Sequence, residues 1–191
     1  MRGTIFAAGL LSAVLLAGAM SAAGLQPVPV SDDELSTAIG QLGDFDYGVR
    51  TGASGLVRRA PEAQARTALA EAVSSHEDEY VRFRALVLLV GFGGREAEAA
   101  VLEAVADPND RLRAVAYGYF EHNPDPTMAG RLLAAIETET SEFVRPALIR
   151  ALAAHDADPA VRERLVADID RGVDFFRGAV IEALEVGEQL G

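Results

Sequence analysis

Phe143-Val144-Arg145-Pro146-Ala147-Leu148-Ile149-Arg150-Ala151-Leu152 decides the fold, because its beat recurs along the chain. An apolar anchor is followed by Arg, then by an apolar or small residue at anchor +4 and a bulkier apolar one at +8. Val49-Arg50 leads to Ala53 and Val57, and Val81-Arg82 to Ala85 and Leu89. Leu112-Arg113 leads to Ala116 and Phe120, Val144-Arg145 to Leu148 and Leu152, and Phe176-Arg177 to Val180 and Leu184. Successive anchors lie 32, 31, 32 and 32 residues apart. Within each unit, positions 0, +3, +4, +7 and +8 form one stripe at helical period. In the second unit Arg84 is the one exception on that stripe.

A second helix precedes each anchor helix. Leu69 and Val73 align with Val101 and Val105, then with Leu132 and Ile136, then with Leu165 and Ile169. Three of these helices open at Pro61, Pro126 and Pro159, and Asp125 and Asp158 stand ready as N-caps for two of them. Gly91 to Gly94, His122 to Pro124 and His155 to Ala157 read as turns. A lone helix pair cannot bury both apolar faces. Stacked on its neighbour it can, at about 1.5–3 kcal/mol per large apolar side chain buried. The pattern predicts an all-α fold, an α-solenoid of about five stacked helix pairs. The units span about 31–59, 60–93, 94–124, 125–157 and 158–187 within a repeat domain over 31–191.

Ahead of the repeats, Arg2, the uncharged run Ile5 to Met20 and the small residues Ser21-Ala22-Ala23 read as a signal peptide over 1–23. The expected location is exported, periplasmic or secreted. The alternative is an uncleaved N-terminal membrane anchor, which would be the only membrane contact. Residues 24–30, with Pro27 and Pro29, read as a tether. Ser31-Asp32-Asp33-Glu34 then matches a capping box that starts the first helix.

The five apolar-Arg beats resemble HEAT repeats, in particular the short bacterial type also called PBS-lyase HEAT-like repeats. The resemblance covers about residues 31 to 187. It implies a ladder between stacked units, made by the arginines Arg50, Arg82, Arg113, Arg145 and Arg177 with acids near the second-helix starts. Here the acids two before the anchor are Glu79, Asp110, Glu142 and Asp174; the first unit has Tyr47 there and Asp46 one earlier. His76-Glu77 resembles one His-Glu pair of the HEAT-like iron hydroxylases. The aligned positions Asp107-Pro108, Glu139-Thr140 and Arg171-Gly172 lack the further pairs.

Charge and composition exclude several classes. The chain has 191 residues, 17 basic against 29 acidic, and a net charge of −12, so it repels nucleic-acid backbones. It has no Cys, which removes disulfides, thiolate zinc sites and Cys nucleophiles. No nucleophile stands with a base and an orienting group, and no Gly loop follows a strand to cradle phosphate. The expectation is therefore no enzyme, no catalytic residue and no cofactor. The alternative is a metal-binding or lyase- or hydroxylase-like protein built on the His-x-x-Asp-Pro loops, with His122, His155 and Asp156 as candidate ligands.

Function should then lie on the outward positions of the second helices, anchor +2 and +6. This strip is small or apolar where a solvated face would be charged. Phe83, Arg84, Val87, Tyr117, Pro146, Arg150 and Glu182 are the candidate partner-binding residues. The expected function is a non-catalytic interaction or scaffold module of the cell envelope, binding a protein partner through its concave second-helix face. Gly187 reads as a helix stop, and the uncapped last repeat implies either self-association there or a chain that is a piece of a longer repeat array.

Overall fold

The computed structural model describes residues 30–168 and 177–182. The signal segment, the tether up to residue 29, Ile169, Asp174, Phe176 and Gly187 lie outside the described residues. Among the described residues every regular element is a helix. They run in pairs: α1 (Asp32–Gly40) with α2 (Tyr47–Arg59), α3 (Glu62–Ser75) with α4 (Glu79–Phe92), and α5 (Arg95–Ala104) with α6 (Asp110–His122). α7 (Ala129–Thr138) pairs with α8 (Arg145–Ala153), and α9 (Pro159–Asp168) precedes a helical stretch over 177–182. No described helix is long and apolar enough to cross a membrane.

Local rules set the helix boundaries. The Ser31 hydroxyl accepts from the Glu34 amide at 3.2 Å, and the Glu34 carboxylate accepts from the Ser31 amide at 2.9 Å, closing the capping box. Asp46, Asp78 and Asn109 cap α2, α4 and α6 by accepting from the amides of their first turns. Asp125 caps a 3-10 turn at Pro126–Met128 that leads into α7, and the Asp158 carboxylate accepts from the Ala160 amide at 2.9 Å. The α4–α5 turn needs Gly93 and Gly94, whose φ values of 69° and 86° exclude most side chains.

The anchors Val81, Leu112 and Val144 are buried with Leu69, Val101, Leu132 and Leu148 in one continuous core. α4 packs on α3 and α6, and α6 in turn on α5 and α8. The second helices α4, α6 and α8 therefore form one layer, with the first helices α3, α5 and α7 each packed against it, which is the solenoid arrangement. That layer places equivalent residues of successive units side by side, and the candidate sites lie along it.

Candidate functional site

The arginine that follows each anchor ties the layer together, using different acids from those expected. Arg82 Nη2 lies 2.5 Å from Asp107 Oδ2, and its Nε donates to the Val73 carbonyl at 2.8 Å. Arg113 holds Glu139 with two bonds, Nε to Oε2 at 2.7 Å and Nη2 to Oε1 at 2.9 Å. Each guanidinium thus reaches forward to the loop of the next unit. Arginines of this register also reach back to their own loops: Arg50 donates to the Asp44 carbonyl, Arg113 to the Asp107 carbonyl and Arg145 to the Glu139 carbonyl. Glu79, Asp110 and Glu142, two before their anchors, do not make this ladder. They sit at the helix starts, while the loop acids five before the anchor face the preceding unit. Asp174 and its neighbours lie outside the described residues.

Asp107 and Glu139 were missed, and a signal for them exists. Position −5 carries a side-chain acceptor for the amide at −3 in four units. Asp44 accepts from the Asp46 amide at 2.7 Å, His76 Nδ1 from Asp78 at 3.0 Å, Asp107 from Asn109 at 2.8 Å and Glu139 from Ser141 at 2.9 Å. The residue that folds the loop is thus the one that receives the neighbour's arginine.

The partner-binding candidates divide. Val87 is 37% exposed, Phe83 and Pro146 are half-buried, and Arg150 and Glu182 are exposed, all at +2 or +6. Arg150 donates to Glu121 at 3.0 Å and so rims the strip. Arg84 is half-buried, and its Nε has no hydrogen-bond partner. Tyr117 does not belong with them, because it is 1% exposed. It stands at +5, where Leu86 and Ile149 are buried too. Its hydroxyl donates to the Val105 carbonyl at 3.3 Å, and burial pushes its pKa up to about 12.

Around Phe83 the surface is aromatic and cationic. The Tyr80 and Phe83 rings lie 5.8 Å apart. The Arg111 guanidinium sits 5.4 Å from the Tyr80 ring centre and 6.0 Å from that of Phe83.

The His loops do not converge as metal ligands. His155 is buried, with Nδ1 2.7 Å from the Ala151 carbonyl oxygen. Its Nε2 lies 3.1 Å from the Asp125 amide. Nε2 also lies 2.9 Å from the Asp125 carbonyl oxygen, so both ring nitrogens are engaged by backbone groups and neither is left for a metal. The ring instead staples the loop before α7 to the end of α8. His122 Nδ1 lies 2.9 Å from the Gly118 carbonyl, and Asp156 faces Arg162 at 3.9 Å. No cluster of three metal-ligating side chains occurs among the described residues.

No family model matches the chain, and no curated protein matches it. Among solved structures, 13 chains match. One belongs to the complex of CpcE and CpcF of phycocyanin lyase from Nostoc sp. PCC7120, with a TM-score of 0.58 and 21% identity over 85% of this chain and 69% of that chain. At that identity the likeness is one of fold. It nevertheless overturns the expectation of no enzyme. A protein of this architecture is part of a lyase, so the lack of a readable nucleophile and base does not set this chain apart from enzymes. With the paired helices and the repeat-to-repeat ladder, the comparison gives the conclusion that the chain has the fold of a HEAT-like helical-repeat protein.

Proposed function

We propose that the chain is a protein-docking repeat module whose partner binds the outer face of α4, α6 and α8. The observation that carries this reading is the apolar strip at +2 and +6, with Phe83 half-buried, Val87 exposed and Arg150 at its rim. Such strips on otherwise charged surfaces mark interaction sites. The two-subunit nature of the phycocyanin lyase complex supports a role in protein–protein assembly. The further elements of the reading are a scaffold role, an exported location resting on the N-terminal sequence, and self-association through the last repeat.

The test is cross-linking and affinity capture from the native cell envelope with the full chain. Phe83→Asp with Val87→Asp reduces recovery of the captured partner at least tenfold, at about the free energy carried by one or two interface anchors. Helical circular dichroism stays at the wild-type level, because neither residue is fully buried. Undiminished capture by a folded double variant would reject the strip. Cell fractionation checks the location, and sedimentation velocity across concentrations checks self-association.

A second reading, favoured by the lyase fold neighbour, is lyase-like action together with a partner subunit. Assay of the purified chain on phycocyanin subunits, with and without its captured partner, tests it. Turnover that depends on both would support it, and none in either arm would remove it.

A further inference from the structure

The starts of the second helices form a continuous edge with its own chemistry. Asn109 Nδ2 donates to the Glu79 carbonyl at 3.4 Å, and the Ser141 hydroxyl lies 3.4 Å from Asp110 Oδ2. Each unit therefore touches the next at positions −3 and −2, and the edge has no gap between units two and four. Along it an acid and an aromatic recur at −2 and −1, as Glu79-Tyr80 and Glu142-Phe143. In the first unit Asp46 and Tyr47 stand side by side as well.

Three observations concern what this edge recognises. First, its terminal rings face solvent: Phe143 is 67% exposed and Tyr47 74%, while Tyr80 is half-buried beneath Arg111. Second, Glu77, Glu79 and Glu142 are exposed, and their carboxylates enter no hydrogen bond or ion pair among the described residues. Third, this edge already accepts guanidinium groups from the chain itself. Arg50 lies 5.7 Å from the Tyr47 ring centre, and Arg111 lies against Tyr80 and Phe83. A ring beside a free carboxylate binds a cation through both its quadrupole and the ion pair. A neutral apolar partner would strand the carboxylates without counter-charge, and an acidic partner would meet repulsion.

We propose that this edge holds an extended, basic segment of a protein partner, with one cationic side chain at Glu79-Tyr80 and another at Glu142-Phe143. Arg111, from the third unit, already lies on Tyr80 and is the internal cation that the segment's first cationic side chain displaces. The two stations are two repeats apart, or about 16–20 Å at the usual helix spacing. An extended peptide covers that in about five or six residues. The proposal deepens the protein-docking reading and rests on it, since Phe83 borders both the edge and the strip.

The probe is a fluorescein-labelled peptide of about twelve residues carrying two arginines about six apart in a Gly-Ser background. Its control carries Glu at the same two places. Anisotropy titration uses the full chain. The Arg peptide binds and the Glu peptide does not, and raising salt from ~50 to ~300 mM weakens binding. Glu79→Gln with Glu142→Gln raises Kd roughly tenfold, Phe143→Ser raises it several-fold, and Arg111→Glu lowers it. All four residues lie outside the core, so circular dichroism remains that of the wild type. Equal binding of the Glu peptide, or an unchanged Kd in the carboxylate double variant, would overturn the proposal. So would native-partner capture that survives the carboxylate changes but is lost with Phe83→Asp and Val87→Asp. In that last case the docking strip stands and the basic segment falls.

Discussion

Replacing Arg113 by Ala lowers the unfolding free energy by about 3–5 kcal/mol, the loss usual when one partner of a buried ion pair is removed. Arg113 makes four hydrogen bonds: two to Glu139 and one each to the carbonyls of Asp107 and Pro108. The Glu139 side chain is 2% exposed, so without Arg113 a carboxylate stays in the interior with only backbone amides, those of Ser141 and Thr140, to hold it. Replacing both residues by apolar ones of similar size, Arg113→Met with Glu139→Leu, costs much less, because no charge is stranded. A urea-denaturation double-mutant cycle measures the difference. A purely surface pair would give under about 1 kcal/mol for the single variant, and that result would refute the ladder's structural role.

The same pair carries an acid limb. Burial raises the Glu139 carboxyl, but the bonds from Arg113 and from the Ser141 amide outweigh it and hold the group below its ordinary value of 4.5. A folded-state value below the unfolded one contributes stability that is complete above the ordinary value. That stability is lost as pH falls through the lowered folded value. The gap between wild type and Arg113→Ala therefore holds from neutrality down to about pH 4.5 and closes below that, as the pH falls through the lowered folded value. A gap independent of pH would mean that the carboxylate takes no part.

Tyr117→Ala costs about 4 kcal/mol, as for other large aromatic truncations in a packed core. The Tyr117 ring is buried with Leu86 and Ile149 at the same repeat position. Tyr117→Phe separates ring from hydroxyl. It keeps the packing, removes the donor to the Val105 carbonyl, and costs about 1 kcal/mol. Thermal melts of both variants beside Phe83→Ala decide the matter. If Tyr117 were a docking residue, Tyr117→Ala would leave the melting temperature near wild type and weaken partner capture instead.

The apolar-Arg beat was enough to read the architecture, because period and stripe follow from helical geometry and from the need to cover each pair with the next. The N-caps were equally legible at Ser31, Asp125 and Asp158, where a short acceptor precedes a helix start. The ladder was half legible. The arginines stand in fixed register with the anchors. Their acids belong to the loops of the next unit, and only the stacking distance shows that position −5 faces them while −2 faces out. Tyr117 was misread for a related reason. Positions +5 and +6 differ by 100° around the helix, and which of those flanks is covered depends on the neighbouring helices. His155 carried no signal that would tell a loop staple from a ligand. That is decided by two backbone groups, at Ala151 and Asp125, which a sequence pattern does not display.

The arginine ladder is not uniform. Where the third and fourth units offer Asp107 and Glu139, the second offers His76, and Arg50 bonds only the carbonyls of its own loop, at Asp44 and Phe45. In a linear array each junction sets how far opening spreads from one end. Among the described junctions, the one between the first and second units is thus the weak one. Amides of α1 and α2 exchange with solvent well before those of α6 and α8, so the described array opens first at its N-terminal pair.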